Sequence, residues 1–375
     1  MNSLKAHKLE ALKKRFDRKV LELECEIITP MFLGDARQKA VLRPEPFKGL
    51  LRYWWRIATA GSLKRNILDI ENKIFGGAGG ENWGQSLIKV EVKGTPSVDD
   101  KLPSTGYVYH PEVKWKINPL LYLGYGPVMY SSKAGGLICN RSYLAPGSKF
   151  AIKLTVSTSL LKDDEISECF KRALYYFRAF GTAGSRSRNG WGSFQVTRMT
   201  SIRFDLEKFV PDLEKNVPEF TEDLFGRDVD YPHTLAADSK GMLIWKTEEY
   251  KKWEDVMKIL ADTYITVRTS FSADGRNDID ERHLLGFPIT NHSADKAHNW
   301  GKNARHASPL RFFVRKREDN YYGFILHVPF GISKRMRKNA SGQEFFSPAK
   351  QFEIWQKVYQ HLDKLHARAN IHECL

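Results

Sequence analysis

The chain has 375 residues, 42% hydrophobic and 27% charged, with 59 Lys plus Arg against 44 Asp plus Glu and a net charge of +15. That length exceeds the roughly 100–200 residues of one ordinary domain, so two hydrophobic cores are expected. The positive excess points to a polyanionic partner, either nucleic acid or an anionic membrane surface. No run approaches the roughly 20 apolar residues that cross a bilayer, and the Lys-rich start lacks the apolar stretch of a signal peptide, so a soluble, cytoplasmic protein is expected.

In chain order, residues 4–19 are expected to be a basic helix, its cations either a solvated face or phosphate contacts. Leu21, Leu23, Cys25 and Ile27 then alternate with Glu22, Glu24 and Glu26, the period of a strand buried on one face. From Pro46 to Ala60 the period changes: Leu50, Leu51, Trp54, Trp55 and Ala58 form a helical stripe. Strands follow at Ile88, Val90 and Val92 and at Phe150, Ile152, Leu154 and Val156. Residues 164–180 read as the strongest helix, with acids at its start and Gly181 ending it as a left-handed cap. Phe194 and Val196 open a further strand.

This β-α-β-β-α-β series is the ferredoxin-like, RRM-like arrangement. A long glycine-bearing insertion, 101–148, interrupts it. Residues 201–240, rich in proline and acids, are expected to connect an N-terminal domain (1–200) to a C-terminal one (241–375). The second half is expected to hold a helix near 249–262, a strand at 264–271, a hairpin from Leu310 to Pro329 and a terminal helix through Phe352, Trp355, Val358, Tyr359, Leu362 and Leu365. The fold class is α+β: two tandem ferredoxin-like domains, the second degenerate, with long insertions.

Four groups are candidates for function. Lys48, Arg52 and Arg56 recur every four residues along the polar side of the 46–60 helix, and no acid in that helix interrupts them. Residues 180–194 carry four glycines with Arg186, Arg188 and Asn189. Glycines such as Gly184 let a backbone approach an anion closely, and arginine supplies forked donors. Trp191, between Gly190 and Gly192, either stacks on a base or fills a core. Phe75 to Gly80 resembles a phosphate cradle, but it follows a helix and lacks Gly-Lys-Ser/Thr, so nucleotide binding there is rejected. Arg305 and His306, with Lys334, Arg335, Arg337 and Lys338, complete the set.

No HExxH, GxSxG or cysteine nucleophile is present, and Cys25, Cys139, Cys169 and Cys374 form no CxxC pair. The histidines, including His292, His298, His306, His361, His366 and His372, read as surface groups. No catalytic residue, metal or cofactor is therefore expected.

These motifs carry a resemblance. Thr29-Pro30-Met31-Phe32-Leu33-Gly34, the run from Arg43 to Arg56, Ile74-Phe75-Gly76 and the 181–192 glycine loop together resemble the RAMP superfamily of CRISPR effector proteins. More narrowly they are similar to the first-numbered RAMP subunits of type III-B, or Cmr, complexes. Arg305 to Leu310 and Tyr322 to Pro329 extend the likeness into the second half. Asp35 departs from the family's opening, where a second small residue is expected.

The resemblance implies a non-catalytic subunit that binds single-stranded guide or target RNA near the guide 3′ end, beside other subunits of the complex. It places Lys48, Arg52 and Arg56 on the helix flanking the cleft and makes 181–192 the signature loop. Two alternatives stay open: a metal-independent RNA-processing nuclease using a histidine such as His306, and a structural adaptor without RNA contact.

Overall fold

The computed structural model describes residues 17–60, 66–77, 84–202, 217–226, 233–271, 278–289, 294, 300 and 303–375. The basic helix expected up to residue 16, most of the 201–240 connection, Ala78 to Gly80, His292 and His298 lie outside them. Arg18 and Lys19, expected at the end of that helix, instead begin the first strand.

The chain opens with β1 (Arg18–Ile27), α1 (Pro44–Thr59), α2 (Ile67–Phe75) and β2 (Ile88–Lys93). The insertion follows with β3 (Val98–Asp99), β4 (Val108–His110), β5 (Trp115–Ile117), α3 (Pro119–Gly124), β6 (Val128–Ser131), β7 (Gly136–Cys139) and β8 (Tyr143–Leu144). It is thus built from short two-stranded ribbons, β3 with β8, β4 with β5 and β6 with β7. Then come β9 (Lys149–Ser157), α4 (Asp164–Ala179) and β10 (Phe194–Ile202). The second half holds α5 (Asp223–Gly226), β11 (Ala237–Asp238), β12 (Gly241–Met242), β13 (Ile244–Tyr250), α6 (Trp253–Thr269), β14 (Leu310–Arg317), β15 (Asn320–His327), α7 (Pro348–Leu365) and β16 (Ala367–Arg368).

Two four-stranded antiparallel sheets organise these elements, β10-β1-β9-β2 and β14-β15-β13-β16. The first sheet behaves as its alternation demands. Leu21, Leu23, Cys25 and Ile27 are buried with the apolar stripes of α1 and α4, and Glu22, Glu24 and Glu26 stand on the other face. There Lys93, Arg198 and Lys316 pair with them at 3.9–4.0 Å.

The second sheet differs because it is buried on both sides. Phe313 and Phe324 stack at 5.1 Å and belong to the first core, whereas Phe312, Ile325 and Trp245 belong to the second with α6 and α7. The halves are stitched where β10 meets β14: the Val314 amide donates to Ser193 Oγ at 2.9 Å and the Lys316 amide to Gln195 Oε1 at 3.0 Å. Fully buried Arg315 donates to the carbonyls of Cys374 at 2.9 Å and Ala179 at 2.7 Å.

Two local expectations are corrected. The strand expected at 264–271 is the continuation of α6 to Thr269, since Val256, Met257, Leu260, Ala261, Tyr264 and Ile265 form one buried helical face that outweighs the local β-branched residues. The strand that precedes this helix is β13, unforeseen. Gly181 stops α4 by close packing and not as a left-handed cap: a Cβ there would lie 2.7 Å from the Phe194 ring and 2.8 Å from the Phe177 carbonyl.

Candidate nucleic-acid interface

Helix α1 starts with Pro44 at its first turn, where a missing N–H costs nothing, and buries Phe47, Leu51, Trp54, Trp55 and Ala58. Lys48, Arg52 and Arg56 therefore line its other side, as their spacing requires. The expectation that no acid interrupts them holds only within the helix. Helix α2 delivers the fully buried Glu71 against the row: Arg52 Nε donates to it, and Arg56 donates through Nε at 3.0 Å and Nη2 at 2.8 Å. Arg52 also donates to Asn72 Oδ1 at 3.1 Å. One carboxylate thus pairs with two of the three cations. Partial burial and the neighbouring Arg52 charge pull the Lys48 ammonium below its ordinary range.

The glycine loop is also rearranged relative to expectation. Its glycines serve close packing of protein on protein. Gly184 takes a φ of +94° with its Cβ site 2.6 Å from the Phe32 carbonyl oxygen, and Gly192 a φ of +64° with its Cβ site 1.8 Å from that of Ala183. These turns fold Trp191 inward. It is 0% exposed, packed against Phe32 at 5.2 Å and Trp253 at 6.4 Å, so the base-stacking role is excluded and the core role holds.

The polar residues of the loop turn the other way. Arg186 is exposed, held at a φ of +58° by a bond from its Nε to the Tyr125 carbonyl at 2.7 Å. Arg188 Nη1 donates to the Ser308 carbonyl at 3.3 Å, its own carbonyl accepts from the Phe312 amide at 2.8 Å, and Asn189 Nδ2 donates to the Leu123 carbonyl at 3.0 Å. The loop therefore ties the insertion to β14.

Those ties open a cleft of about 1640 Å³ lined by Arg186, Arg188, Asn189, Arg305, His306, Ser308 and the aromatic residues Tyr122, Tyr125, Tyr264 and Phe287. Arg268 from the last turn of α6 and Arg282 complete five lining arginines. The one carboxylate among the described lining residues, Glu112, is paired with Arg282. Two of the four sequence candidates, the glycine loop and the 305–306 pair, thus meet at one site.

The charge of Arg56, at one end of the α1 row, reaches His233, which also feels the cleft residues Arg188 and His306. His233 stacks on Phe330 at 4.0 Å, and burial together with the charges of Arg188, Arg311, His306 and Arg56 brings it down to about 4. Arg311 lies over Tyr53 at 4.7 Å, carrying the positive strip from α1 toward Arg188. Lys48 lies two turns further along α1, roughly 12 Å from Arg56 at 1.5 Å per residue.

His306 is not the surface group the sequence implied. It is 5% exposed, its Nε2 lies 3.0 Å from the Leu284 carbonyl, and burial takes it down to about 4. His366 is likewise half-buried against Thr263 Oγ1 at 2.7 Å. In the 334–338 group, Arg337 donates to the carbonyls of Phe225 at 2.7 Å and Ile332 at 3.3 Å, a packing role. Asp35 accepts from the amides of Arg37 at 2.8 Å and Lys39 at 3.1 Å, so the departure from the family opening closes a turn. Among the described residues no group of three His, Cys, Asp or Glu could hold a metal, and no helix is long and apolar enough to cross a membrane. Arg282, Arg311 and Tyr125 carry no sequence signal that singles them out, since each meets a partner distant along the chain: Glu112, Tyr53 and Arg186.

The family model of the RAMP superfamily matches residues 24–195, from β1 through the glycine loop to the start of β10. Over this stretch the chain is similar to the RAMP superfamily. The chain is 27% identical to the CRISPR system Cmr subunit Cmr1-1 of Pyrococcus furiosus, over 81% of its own length and 86% of that protein. Among solved structures, it aligns with apo Cmr1 from Pyrococcus furiosus at 20% identity and a TM-score of 0.45, covering 92% of this chain and 97% of that one. It also aligns with a chain of a type III-B Cmr-beta complex bound to cognate target RNA and AMPPnP, at 13% identity and a TM-score of 0.48, covering 92% and 99%.

Proposed function

We propose that this chain is a non-catalytic RNA-binding subunit of a CRISPR type III-B effector complex, holding guide or target RNA near the guide 3′ end in the arginine-lined cleft. Its body is two ferredoxin-like domains in tandem, 1–200 and 241–375, a reading supported by the two four-stranded antiparallel sheets, one in each half. The superfamily match and the likeness to Cmr1-1 support membership in the complex.

The observation that carries the RNA reading is the meeting of Arg186, Arg188 and Arg305 in one cleft with a single, already paired carboxylate. Guanidinium groups recognise phosphate without reading sequence, which leaves specificity to guide pairing. The open face of the first sheet is a poorer platform, because Glu22, Glu24 and Glu26 offset the charge of Lys93, Arg198 and Lys316 there.

The non-catalytic part rests on the histidines. A general acid or base needs a group that titrates near neutrality and faces the substrate. Burial holds both cleft histidines, His110 and His306, below their ordinary range, and His306 is tied to a backbone carbonyl.

Fluorescence anisotropy with a labelled single-stranded RNA tests this, with strand integrity followed by gel in the same samples. Replacing Arg186 and Arg305 together by Ala removes two phosphate contacts and is expected to weaken binding roughly tenfold or more at low salt, with the RNA intact throughout. Unchanged affinity, or cut RNA, overturns the proposal.

A further inference from the structure

The 101–148 insertion exposes aromatic rings that the fold does not use. Trp115 is 70% exposed and Tyr125 63% exposed, whereas six other tryptophans are fully buried. A tryptophan left this open forgoes most of its burial free energy unless something else covers it.

Tyr125 lines the cleft, and Trp115 shares a ribbon face with residues that line it. In the β4–β5 ribbon the register pairs His110 with Trp115 and Val108 with Ile117, which puts these four side chains on one face. His110 and Ile117 line the cleft, so Trp115 extends that same face to its mouth. Tyr125 lines the cleft directly, and its backbone carbonyl holds Arg186 Nε at 2.7 Å, so an exposed ring and a guanidinium meet at one residue. Exposed Lys114 and Lys116 flank Trp115.

We propose that Trp115 and Tyr125 are a base-stacking rim that makes the cleft select unpaired nucleotides over duplex, a reading that rests on the RNA site proposed above. Rings beside cations match the alternation of base and phosphate along a single strand. In a duplex both faces of an internal base are already stacked on their neighbours, so only an unpaired strand offers a free π-face. The basic flank favours a polyanion over an apolar protein surface.

The test uses the full chain with a 12-nucleotide RNA carrying 2-aminopurine, either single-stranded or annealed to its complement. Trp115→Ala and Tyr125→Ala are each expected to weaken single-strand binding roughly tenfold and to abolish the 2-aminopurine quenching that stacking causes. Duplex binding stays unchanged, and the Trp115→Phe and Tyr125→Phe variants retain single-strand affinity. If the alanine variants bind the single strand normally while the Arg186/Arg305 variant does not, the cleft holds backbone alone: the stacking proposal falls and the RNA site stands. If the arginine variant is also silent, both fall. An equal loss of single-strand and duplex binding overturns stacking, as does loss of co-purification with another subunit at unchanged RNA affinity.

Discussion

At the residue scale, the glycine loop shows why function-bearing and structure-bearing positions look alike in a sequence. An anion cradle and a tight backbone crossing both demand glycine, so the pattern from Gly181 to Gly192 flags the loop without saying which need it meets. Gly184 and Gly192 meet the second need. Trp191 follows from them, since the flanking turns carry it into the core. Arg186, Arg188 and Asn189 were legible as polar loop residues, yet their partners Tyr125, Ser308 and Leu123 lie 61, 120 and 66 residues away, beyond any local pattern.

The buried histidines make a residue-scale prediction. His306 is held near 4 in the folded protein, against about 6.5 when unfolded. Between those values the unfolded chain takes up a proton that the folded chain refuses, so stability is lost as pH falls from 6.5 toward 4. His306 alone should lower stability by about 2 kcal/mol between pH 7 and 5. Fully buried His327, bonded to the Tyr359 hydroxyl at 2.6 Å, acts in the same direction. Urea unfolding at the two pH values checks this, and His306→Gln should flatten the dependence. A slope unchanged by that substitution would place the proton uptake elsewhere.

At the element scale, period was a good guide where one face is buried and a poor one where context decides. β1, α1, β9, α4, the β14–β15 hairpin and α7 all follow their patterns. The end of α6 does not, because Ile265, Val267 and Phe271 stand at even spacing like a strand while the longer apolar face of the helix fixes Ile265 and Val267 within it. The α1 row was legible, but Glu71 on α2 was not, because pairing between helices leaves no trace in the i, i+4 spacing of either. Glu71→Gln leaves Arg52 and Arg56 without their shared carboxylate. Because both arginines are part exposed, the loss should be modest, about 1–2 kcal/mol in chemical denaturation. RNA affinity should rise if the row adjoins the bound strand. Unchanged stability would show that the ion pair carries no weight.

At the scale of the whole molecule, the two sheets differ in exposure: the first keeps one charged face open and the second is enclosed. The contacts along β10 and β14, with Arg315 between them, hold the insertion, the glycine loop and the 305–308 segment around one cleft. With about three cations on the phosphates of a single strand, log affinity should fall with log salt at a slope near −2, roughly fifteenfold between 50 and 200 mM. A flat response would mean that contacts other than charge dominate.

The most direct measurement is photocrosslinking of 4-thiouridine-substituted single-stranded RNA to the full chain, with the modified peptides located by mass spectrometry. The cleft account predicts crosslinks within residues 186–189 and 305–308 and in the insertion around Trp115 and Tyr125. Crosslinks confined to the open face of the first sheet, with the cleft peptides unmodified, would contradict it.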